Sequence, residues 1–377
     1  MKVLHIITGL GIGGAEQQLR LLLRHLPTRS EVVTLTNPGP VARGIEADGV
    51  PVTHLGMAGN RDLGALPRLV RIIRAGRYDL VHTHLYRACV YGRIAARLAG
   101  VRTVVATEHS LGDTQIEGRP LSAGTRALYR ATERLGTATV AVSPSVARRL
   151  AEWGVAPSRI HVVPNGIESA RFGYTEDARR LTRKLLGLPE DAFVVGGVGR
   201  LAPGKRFDRL VRAVAAVPEA RLLLVGEGEE RERLLTAARA YGVADRVLLA
   251  GACEDPPPAG GEGPDLPSLL AAMDVFVSTS PDEAFGLAAV EALAAGLPVL
   301  YVACPAIDDL PPGAAPGARR IGPSVPELIS ALGGIRDARP VRLPPPAAAH
   351  RYDIAHSAQQ LMSLYEQAVH GTPPPSK

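Results

Sequence analysis

The sequence predicts two α/β domains, each a doubly wound parallel β-sheet with helices on both faces. Short apolar runs alternate with amphipathic stretches along the chain, which is the pattern of strands joined by crossover helices. A chain of 377 residues is too long for one ordinary core and suits two domains of about 150 to 200 residues each. Aromatic residues make up only 4% of the chain, so the cores must be built from Ala, Val, Leu and Ile, as is typical of helices packed on parallel strands.

The predicted strands fall into two groups on either side of a strong turn signal. The first group is VLHIIT, EVVTLT, VPVTHL, DLVHTH, TVVATE and TVAVS, and the second is FVVGGVG, ARLLLVG, RVLLAG, VFVSTS and LPVLYV. Between them, Pro164-Asn165-Gly166 is typical turn chemistry. We therefore expect an N-terminal domain over residues 1–165 and a C-terminal domain over residues 166–350, followed by a helix over residues 351–371 and a disordered tail over residues 372–377.

The cysteines and the apolar runs indicate a cytoplasmic protein. Cys89, Cys253 and Cys304 are isolated and have neither the spacing of a disulfide framework nor that of a zinc site. The opening run MKVLHIITGL is short and breaks into glycines at once, so we interpret it as the first strand rather than a secretion signal. Because no apolar run approaches the roughly 18 to 20 residues of a membrane span, we expect at most a peripheral contact with the inner face of a membrane.

Glycines follow the first strand and precede the first predicted helix. Gly9, Gly11 and Gly14 fit the G-x-G-x-x-G pattern of dinucleotide sites. The second strand, however, ends in Thr-Asn and lacks the acidic residue that holds the ribose of a nicotinamide cofactor, which argues against a dehydrogenase. Gly13 and Gly14 are candidates for phosphate binding, because glycines before a helix let backbone amides approach an anion at the positive end of the helix dipole. A plain tight turn is the alternative.

The segment SPDEAFGLAAVEALAAGLPV, residues 280–299, carries the strongest functional signal. It follows a buried strand, and its helical pattern begins near Phe285 and ends at Gly296, with a proline just beyond. We expect the amides of Phe285, Gly286 and Leu287 to point above the carboxyl end of the strand, which is the usual ligand crevice of an open α/β sheet. An anionic phosphate fits there.

Two segments resemble glycosyltransferase family 4. Glu283 and Glu291 match the E-x7-E motif of that family within a similar surrounding sequence, and GVGRLAPGKRFDRLVRAV is similar to its GRLxxxKGFDxLIxA segment. The resemblance extends over nearly the whole chain, from Gly13-Gly14-Ala15-Glu16 to the final helix. It implies the GT-B fold, in which two Rossmann-like domains face a central cleft, and it implies that the helix over residues 351–371 packs back on the N-terminal domain.

The resemblance also implies roles for residues of the C-terminal domain. Glu283 would contact hydroxyls of the donor sugar, and Glu291 would bind the ribose of the nucleotide. Arg200 and Lys205 would stabilise the charge on the departing phosphate without a metal ion, with a solvated basic loop as the alternative. Ala284 stands where the family usually has glycine, which would narrow the phosphate loop. Since no Asp-x-Asp motif stands at a strand end in the appropriate context, we expect no required metal and no cofactor besides the nucleotide-sugar donor.

Less specific matches extend the expected nucleotide site. VGEGEERERLL is similar to a glycine loop of the family, and RVLLAGACED is similar to its base-contacting strand end. The resulting candidates for contacts to the base are Gly226, Gly228, Ala252 and Cys253. One stretch departs from the family, because CPAIDDLPPG replaces the usual Gly-Gly-x-x-Glu loop after the strand LPVLYV.

Histidines provide the candidate site residues near the strand ends of the N-terminal domain. TVVATEHS resembles the family position from which a histidine reaches the donor sugar, so we assign that role to His109, with a structural histidine as the alternative. His82 and His84 in VHTH lie two residues apart, so a strand places them on one face. Because this spacing supplies no further ligand, we expect packing or acceptor-side roles for the pair rather than a metal site.

The positive charge is concentrated in the first half of the chain. Residues 1–165 hold 21 basic and 11 acidic residues, a balance of +10, and residues 166–377 hold 22 and 26, a balance of −4. We expect the basic half to bind the acceptor, which is a glycan, a polyprenyl-linked saccharide or a small molecule. The stretch RDLGALPRLVRIIRAGR either rests on anionic lipid or is a solvated face. Nucleic acid is not an expected partner, because few aromatic residues are present for stacking on bases.

The expected function is retaining transfer of a hexose from a nucleotide diphosphate sugar to an acceptor hydroxyl. UDP is favoured over GDP only because it is more frequent in the family. By resemblance, a phosphate oxygen accepts the proton of the incoming hydroxyl, and closure about Pro164–Gly166 excludes water. A nucleotide-sugar epimerase and a non-catalytic nucleotide-sugar binding protein are the alternatives. The preference for arginine over lysine and the abundance of Ala, Gly and Pro suggest a GC-rich bacterial genome.

Overall fold

The computed structural model describes residues 1–59, 62–112, 115–116, 119–253, 263–339 and 341–371. The chain divides into two compact units. The first unit comprises Met1–Gly166 and Ile354–Lys377, and the second comprises Ile167–Asp353. The division after Gly166 coincides with the end of the predicted turn. The predicted tail, residues 372–377, lies outside the described residues.

The first unit is built on a parallel sheet. Its strands are β1 (Lys2–Ile7), β2 (Arg29–Thr34), β3 (Val52–His54), β4 (Leu80–His84), β5 (Val104–Glu108), β6 (Gln115–Ile116), β7 (Arg119–Pro120), β8 (Ala138–Ala141) and β9 (Ile160–Val162). Seven of them pair in parallel in the order β3-β2-β1-β4-β5-β8-β9, while β6 and β7 form a separate antiparallel pair. The strand order reverses between β1 and β4, the place where open α/β sheets usually bind ligands.

Helices cover the sheet of the first unit on both faces. They are α1 (Gly14–His25), α2 (Gly39–Ala47), α3 (Ala65–Gly76), α4 (Tyr86–Ala99), α5 (Ala123–Glu133) and α6 (Pro144–Glu152). Because water reaches neither face, β1 and β4 are buried almost throughout. The buried polar residues within these two strands are His5, His82, Thr83 and His84.

The second unit is a smaller version of the same architecture. Its strands are β10 (Val194–Val198), β11 (Arg221–Val225), β12 (Val247–Leu249), β13 (Val275–Ser278), β14 (Val299–Tyr301) and β15 (Ala318–Arg320). They form a parallel sheet in the order β12-β11-β10-β13-β14-β15. Its helices are α7 (Glu176–Leu185), α8 (Asp208–Ala216), α9 (Arg231–Ala240), α10 (Leu266–Ala271), α11 (Leu287–Ala294), α12 (Pro305–Asp308), α13 (Val325–Asp337) and α14 (Ala347–Arg351).

The last helix, α15 (Ile354–His370), belongs to the first unit. Its Ala358, Leu361 and Tyr365 pack in one apolar cluster with Val3 of β1 and Val105 of β5. The predicted fold class, two doubly wound parallel sheets, is confirmed. No helix within the described ranges is long and apolar enough to cross a membrane.

Candidate active site

Two loops of the second unit meet at the carboxyl ends of β10 and β13. The Nζ of Lys205 lies 2.5 Å from Oε1 of Glu283, and the two side chains are 33% and 15% exposed. The hydroxyl of Thr279 donates hydrogen bonds to the backbone carbonyls of Lys205, at 2.7 Å, and of Arg206, at 3.1 Å. The structure therefore brings two predicted catalytic residues together at the point where the strand order of this sheet reverses.

The loops that follow β10 and β11 touch through their backbones. A Cβ on Gly226 would lie 1.9 Å from the carbonyl oxygen of Gly199, and a Cβ on Gly228 would lie 2.3 Å from that of Leu201. Both positions therefore require glycine, with φ values of +147° and +158°. Arg200 is exposed on the loop between these two contacts. The close approach of the two loops fixes the backbone that carries the Arg200 guanidinium.

The predicted base-contacting strand end lies beside the same junction. The amide of Gly226 donates a hydrogen bond of 2.7 Å to the carbonyl of Gly251. Ala252 and Cys253 follow directly, with Ala252 exposed and Cys253 partly exposed. The thiol of Cys253 lies 3.8 Å from the carbonyl oxygen of Pro264. These candidate base contacts therefore lie next to the Gly226 loop.

Gly286 places the start of α11 against the segment that departs from the family. The backbone at Gly286 is left-handed, with φ +102°, and a Cβ there would lie 2.4 Å from Sγ of Cys304. The Cys304 thiol donates to the carbonyl of Phe285 at 3.5 Å, and the amide of Ala306 donates to the same carbonyl at 2.9 Å. Burial, followed by the charge of Glu283, raises the pKa of the Cys304 thiol. Cys304 is therefore a protonated group that supports the predicted phosphate loop.

The helix α11 begins at Leu287, two residues after the predicted start, because the left-handed Gly286 cannot continue it. Ala284 is not among the residues with a positive φ, so the loop does not need the glycine that the family usually has there. Glu291 lies four residues after Leu287 and so on the same helical face. Because helical side chains lean towards the N-terminus, Glu291 leans towards the start of α11.

Four histidines form a buried cluster in the first unit. His5 is the register partner of His82 across β1 and β4, and His84 lies on the same face of β4. Nε2 of His109 lies 3.2 Å from Nδ1 of His84, and Nε2 of His84 lies 3.2 Å from Nδ1 of His5. The ring centroids of His82 and His84 are 4.1 Å apart. None of the four side chains is more than 8% exposed.

Burial keeps these imidazoles neutral. It lowers the pKa of His5 to about 3 and that of His109 to about 4. Burial, with repulsion from neighbouring histidines as a further cause, lowers the pKa values of His82 and His84 well below the ordinary value. Nδ1 of His109 is buried and has no hydrogen-bond partner within the described part of the chain. Buried polar atoms usually have a hydrogen-bond partner, and a ligand hydroxyl would supply one for this Nδ1.

The cluster also bears on the expectation that His82 and His84 have no further metal ligand. The register of β1 and β4 adds His5, and ligand nitrogens of the three residues lie within 4.8 Å of one another. The ring nitrogens of His82, however, are engaged by the hydroxyls of Tyr365, at 2.5 Å, and Thr107, at 2.7 Å. His5 and His84 are hydrogen-bonded to each other. Coordination by all three would therefore break existing hydrogen bonds, so the arrangement fits a metal poorly.

The predicted site residues are divided between the two units. His109, Gly13 and Gly14 belong to the first unit, where Gly13 has an extended backbone, with φ −167°, and precedes α1. His82 and His84 also belong to the first unit, and the other predicted site residues belong to the second unit. Sequence reasoning missed His5 and Cys304 as members of these sites. A histidine in the middle of a buried strand was the available signal for His5, whereas the contact of Cys304 with Gly286 depends on the fold.

Comparison with known proteins identifies the family. Residues 12–171 match Glycosyltransferase Family 4, and residues 178–310 match Glycosyl transferases group 1. A D-inositol 3-phosphate glycosyltransferase of Streptomyces scabiei is 32% identical over 79% of this chain and 70% of the relative. A UDP-Gal:alpha-D-GlcNAc-diphosphoundecaprenol alpha-1,3-galactosyltransferase of Escherichia coli is 30% identical over 64% of this chain and 62% of the relative. A crystal structure of Anabaena HepE in complex with UDP and glucose matches with a TM-score of 0.84 at 24% identity, over 97% of this chain and 100% of HepE.

The two Rossmann-like units and the structural match define a protein of the GT-B fold. The family matches then make the assignment specific: the chain belongs to glycosyltransferase family 4. It spans about half to two thirds of the length of several other curated relatives, from 50% to 65%.

Proposed function

We propose that this chain is a retaining, metal-independent glycosyltransferase that moves a sugar from a UDP-sugar to an acceptor hydroxyl. The observation that carries the proposal is the contact of Lys205 with Glu283 on the loops that follow β10 and β13. A cation suited to a leaving phosphate and a carboxylate suited to sugar hydroxyls stand together there. UDP is favoured because it is named both for the Escherichia coli relative and for the HepE complex.

In the proposed reaction, C1 of the donor sugar loses its bond to the phosphate oxygen and gains a bond to the acceptor oxygen. The electron pair of the broken bond leaves with UDP. The proton of the acceptor hydroxyl passes to a departing phosphate oxygen on the same face, so the anomeric configuration is retained. Lys205 and Arg200 stabilise the charge that develops on the leaving group. Glu283, held by Lys205, accepts hydrogen bonds from the sugar, and Glu291 binds the ribose.

The positive charge of residues 1–165 supports a phosphate-bearing acceptor. The names of the two curated relatives contain D-inositol 3-phosphate and GlcNAc-diphosphoundecaprenol. A balance of +10 over residues 1–165 would attract such groups. We therefore favour a polyprenyl-linked saccharide or another phosphorylated glycan or small molecule as the acceptor.

The exposed face of α3 suggests how a lipid-linked acceptor would be approached. Arg71 and Arg74 line a groove of about 790 Å³ together with Leu66 and Leu98. Basic and apolar side chains on one helical face suit the surface of an anionic membrane. Sedimentation with phosphatidylglycerol vesicles tests this contact: Arg71→Ala/Arg74→Ala should reduce binding, while Arg180→Ala, an exposed arginine of α7, should not. Salt-insensitive or absent binding would contradict it.

The experiment that tests the transferase proposal is a metal-free assay with a panel of UDP-sugars in EDTA. Release of UDP measures turnover, and NMR of the product gives its anomeric configuration. Lys205→Ala and Glu283→Ala should each lower kcat about 100-fold or more, as the loss of a charge-stabilising group typically does. Lys184→Ala is the matched control, since Lys184 is exposed on α7. Near wild-type turnover in the first two variants, an inverted product, or a requirement for a divalent cation would contradict the proposal.

The same assay separates the alternative functions. A nucleotide-sugar epimerase would change the donor sugar without an acceptor and without releasing UDP. A non-catalytic binding protein would bind the donor and release no UDP. Transfer to an acceptor is supported over both by the family membership, since each curated relative reported above carries a transferase name.

A further inference from the structure

The hydrogen bonds of the histidine cluster form one continuous chain. His109 contacts His84, and His84 contacts His5. Nε2 of His5 lies 3.5 Å from the hydroxyl of Ser30, which lies 2.9 Å from that of Thr28. At the other end, Nδ1 of His109 is buried without a partner among the described residues. The chain therefore runs from a partly exposed hydroxyl to one unsatisfied nitrogen.

The hydrogens of this chain must all point in the same direction. A neutral imidazole carries a single ring hydrogen, so each ring donates at one nitrogen and accepts at the other. In one arrangement every Nε2–H donates towards Ser30, which leaves a bare lone pair on Nδ1 of His109. In the opposite arrangement every Nδ1–H donates towards His109, which leaves a buried N–H there with no acceptor. Because buried N–H groups without acceptors are the rarer defect, the first arrangement is favoured.

Neighbouring features hold His84, the middle ring, in place. Leu85, which follows it directly, has a left-handed backbone with φ +73°, a strained conformation for leucine that is typical of sites where position matters. His82 packs against His84 and is itself anchored by Thr107 and Tyr365. Burial also prevents protonation of the rings, since it lowers the pKa values of all four histidines. Each of these rings therefore keeps a single ring hydrogen at neutral pH.

We infer that His84 and His5 are positioning residues that hold His109 as its Nε2–H tautomer, so that the bare Nδ1 accepts a hydrogen bond from a ligand hydroxyl. The identity of this ligand rests on the proposed function. The tautomer itself is a property of the free protein, so it can be measured without any substrate.

Long-range proton–nitrogen NMR of protein labelled with ¹⁵N-histidine tests the inference. At neutral pH, His109, His84 and His5 should all appear as neutral Nε2–H tautomers. His5→Leu removes the acceptor for His84 Nε2–H, so either direction of the shortened chain leaves one buried N–H without an acceptor, and His109 should change from the Nε2–H tautomer to a mixture of both tautomers. His5→Asn is nearly isosteric with leucine and keeps a polar atom at the Nδ1 position, so His109 should remain as in the wild type. His356→Gln, at an exposed residue of α15, is the control. It removes one histidine signal and shows how far a substitution outside the cluster shifts the remaining signals.

Three outcomes would overturn the inference. One is His109 as the Nδ1–H tautomer in the wild-type protein, and another is an unchanged His109 signal in a folded His5→Leu variant. The third is stoichiometric binding of added Zn²⁺ with shifts of the His5, His82 and His84 signals, which would make the cluster a metal site. Calorimetry with UDP separates this test from the proposed function, because failure to bind UDP would refute the proposed function and leave the tautomer result unaffected.

Discussion

Acidification should destabilise the first unit well before it affects the second. The unfolded chain binds a proton on each histidine near pH 6.5, whereas the folded chain holds His5 to a pKa of about 3 and His109 to about 4. Because the unfolded state then carries more protons, the free energy of unfolding must fall as the pH falls from about 6.5 towards 4. The stability that the neutral histidines contribute is fully present above their unfolded pKa of about 6.5. It is lost as the pH falls from there towards their folded pKa values.

The size of the effect follows from the two pKa values. Between pH 7 and pH 5, each of these two histidines lowers the free energy of unfolding by about 2 kcal/mol. The pair together lowers it by about 4 kcal/mol. His82 and His84 act in the same direction, since their pKa values are also lowered. Such a loss is large against the roughly 5 to 15 kcal/mol by which an ordinary domain is stable.

Urea unfolding followed by tryptophan fluorescence measures this loss in the first unit. Trp153 is the only tryptophan of the chain and is buried there. The second unit serves as an internal control in circular dichroism, since its single histidine, His350, is exposed. His5→Asn, which removes one titrating ring, should reduce the loss between pH 7 and pH 5 by about 2 kcal/mol. An equal pH dependence of both units, or no change in the variant, would refute the reasoning.

Two further predictions concern the second unit and are measured by urea unfolding. Gly286→Ala should destabilise it by about 2 to 4 kcal/mol, because the left-handed backbone and the overlap with Cys304 both oppose a Cβ, and adding Cys304→Ala should restore only the part due to overlap. No recovery in the double variant would contradict that contact. Asp274→Ala should cost about 3 to 5 kcal/mol, because Arg183, whose guanidinium contacts Asp274 at 2.8 Å, would remain buried without the carboxylate that balances its charge. Asp177→Ala, an exposed control, should change stability by about 0.5 kcal/mol or less, and an equal effect of both variants would refute the role of burial.

Local pattern was sufficient to predict the fold. Strands such as β1 and β11 are nearly continuous apolar runs because both faces of the sheet are covered, and helices such as α1 show apolar residues at helical spacing. These signals lie within short windows of sequence. The boundaries were less accessible: α11 starts at Leu287 because Gly286 is left-handed, and glycine adopts positive and negative φ about equally, so its identity alone did not show this.

The candidate site was predictable only where a motif carried it. Glu283 and Lys205 stand in recognisable segments, but their contact depends on β10 and β13 being neighbours in the sheet. The histidine chain depends in the same way on the register of β1 with β4, which places His5 opposite His82. Strand order and register are long-range properties of the chain. Spacing could therefore identify His82 with His84 while it missed the third imidazole.

Calorimetric titration of the metal-free protein with UDP, GDP, ADP and TDP tests the central claim most directly. UDP should bind and, at about 100 times its dissociation constant, should stabilise the protein by about 2.7 kcal/mol. Glu291→Ala should abolish this binding, whereas Glu366→Ala, at an exposed position of α15, should leave it intact. If no nucleotide binds, or if Glu291→Ala binds UDP as well as Glu366→Ala does, the assignment of a nucleotide-sugar site to the second unit is contradicted.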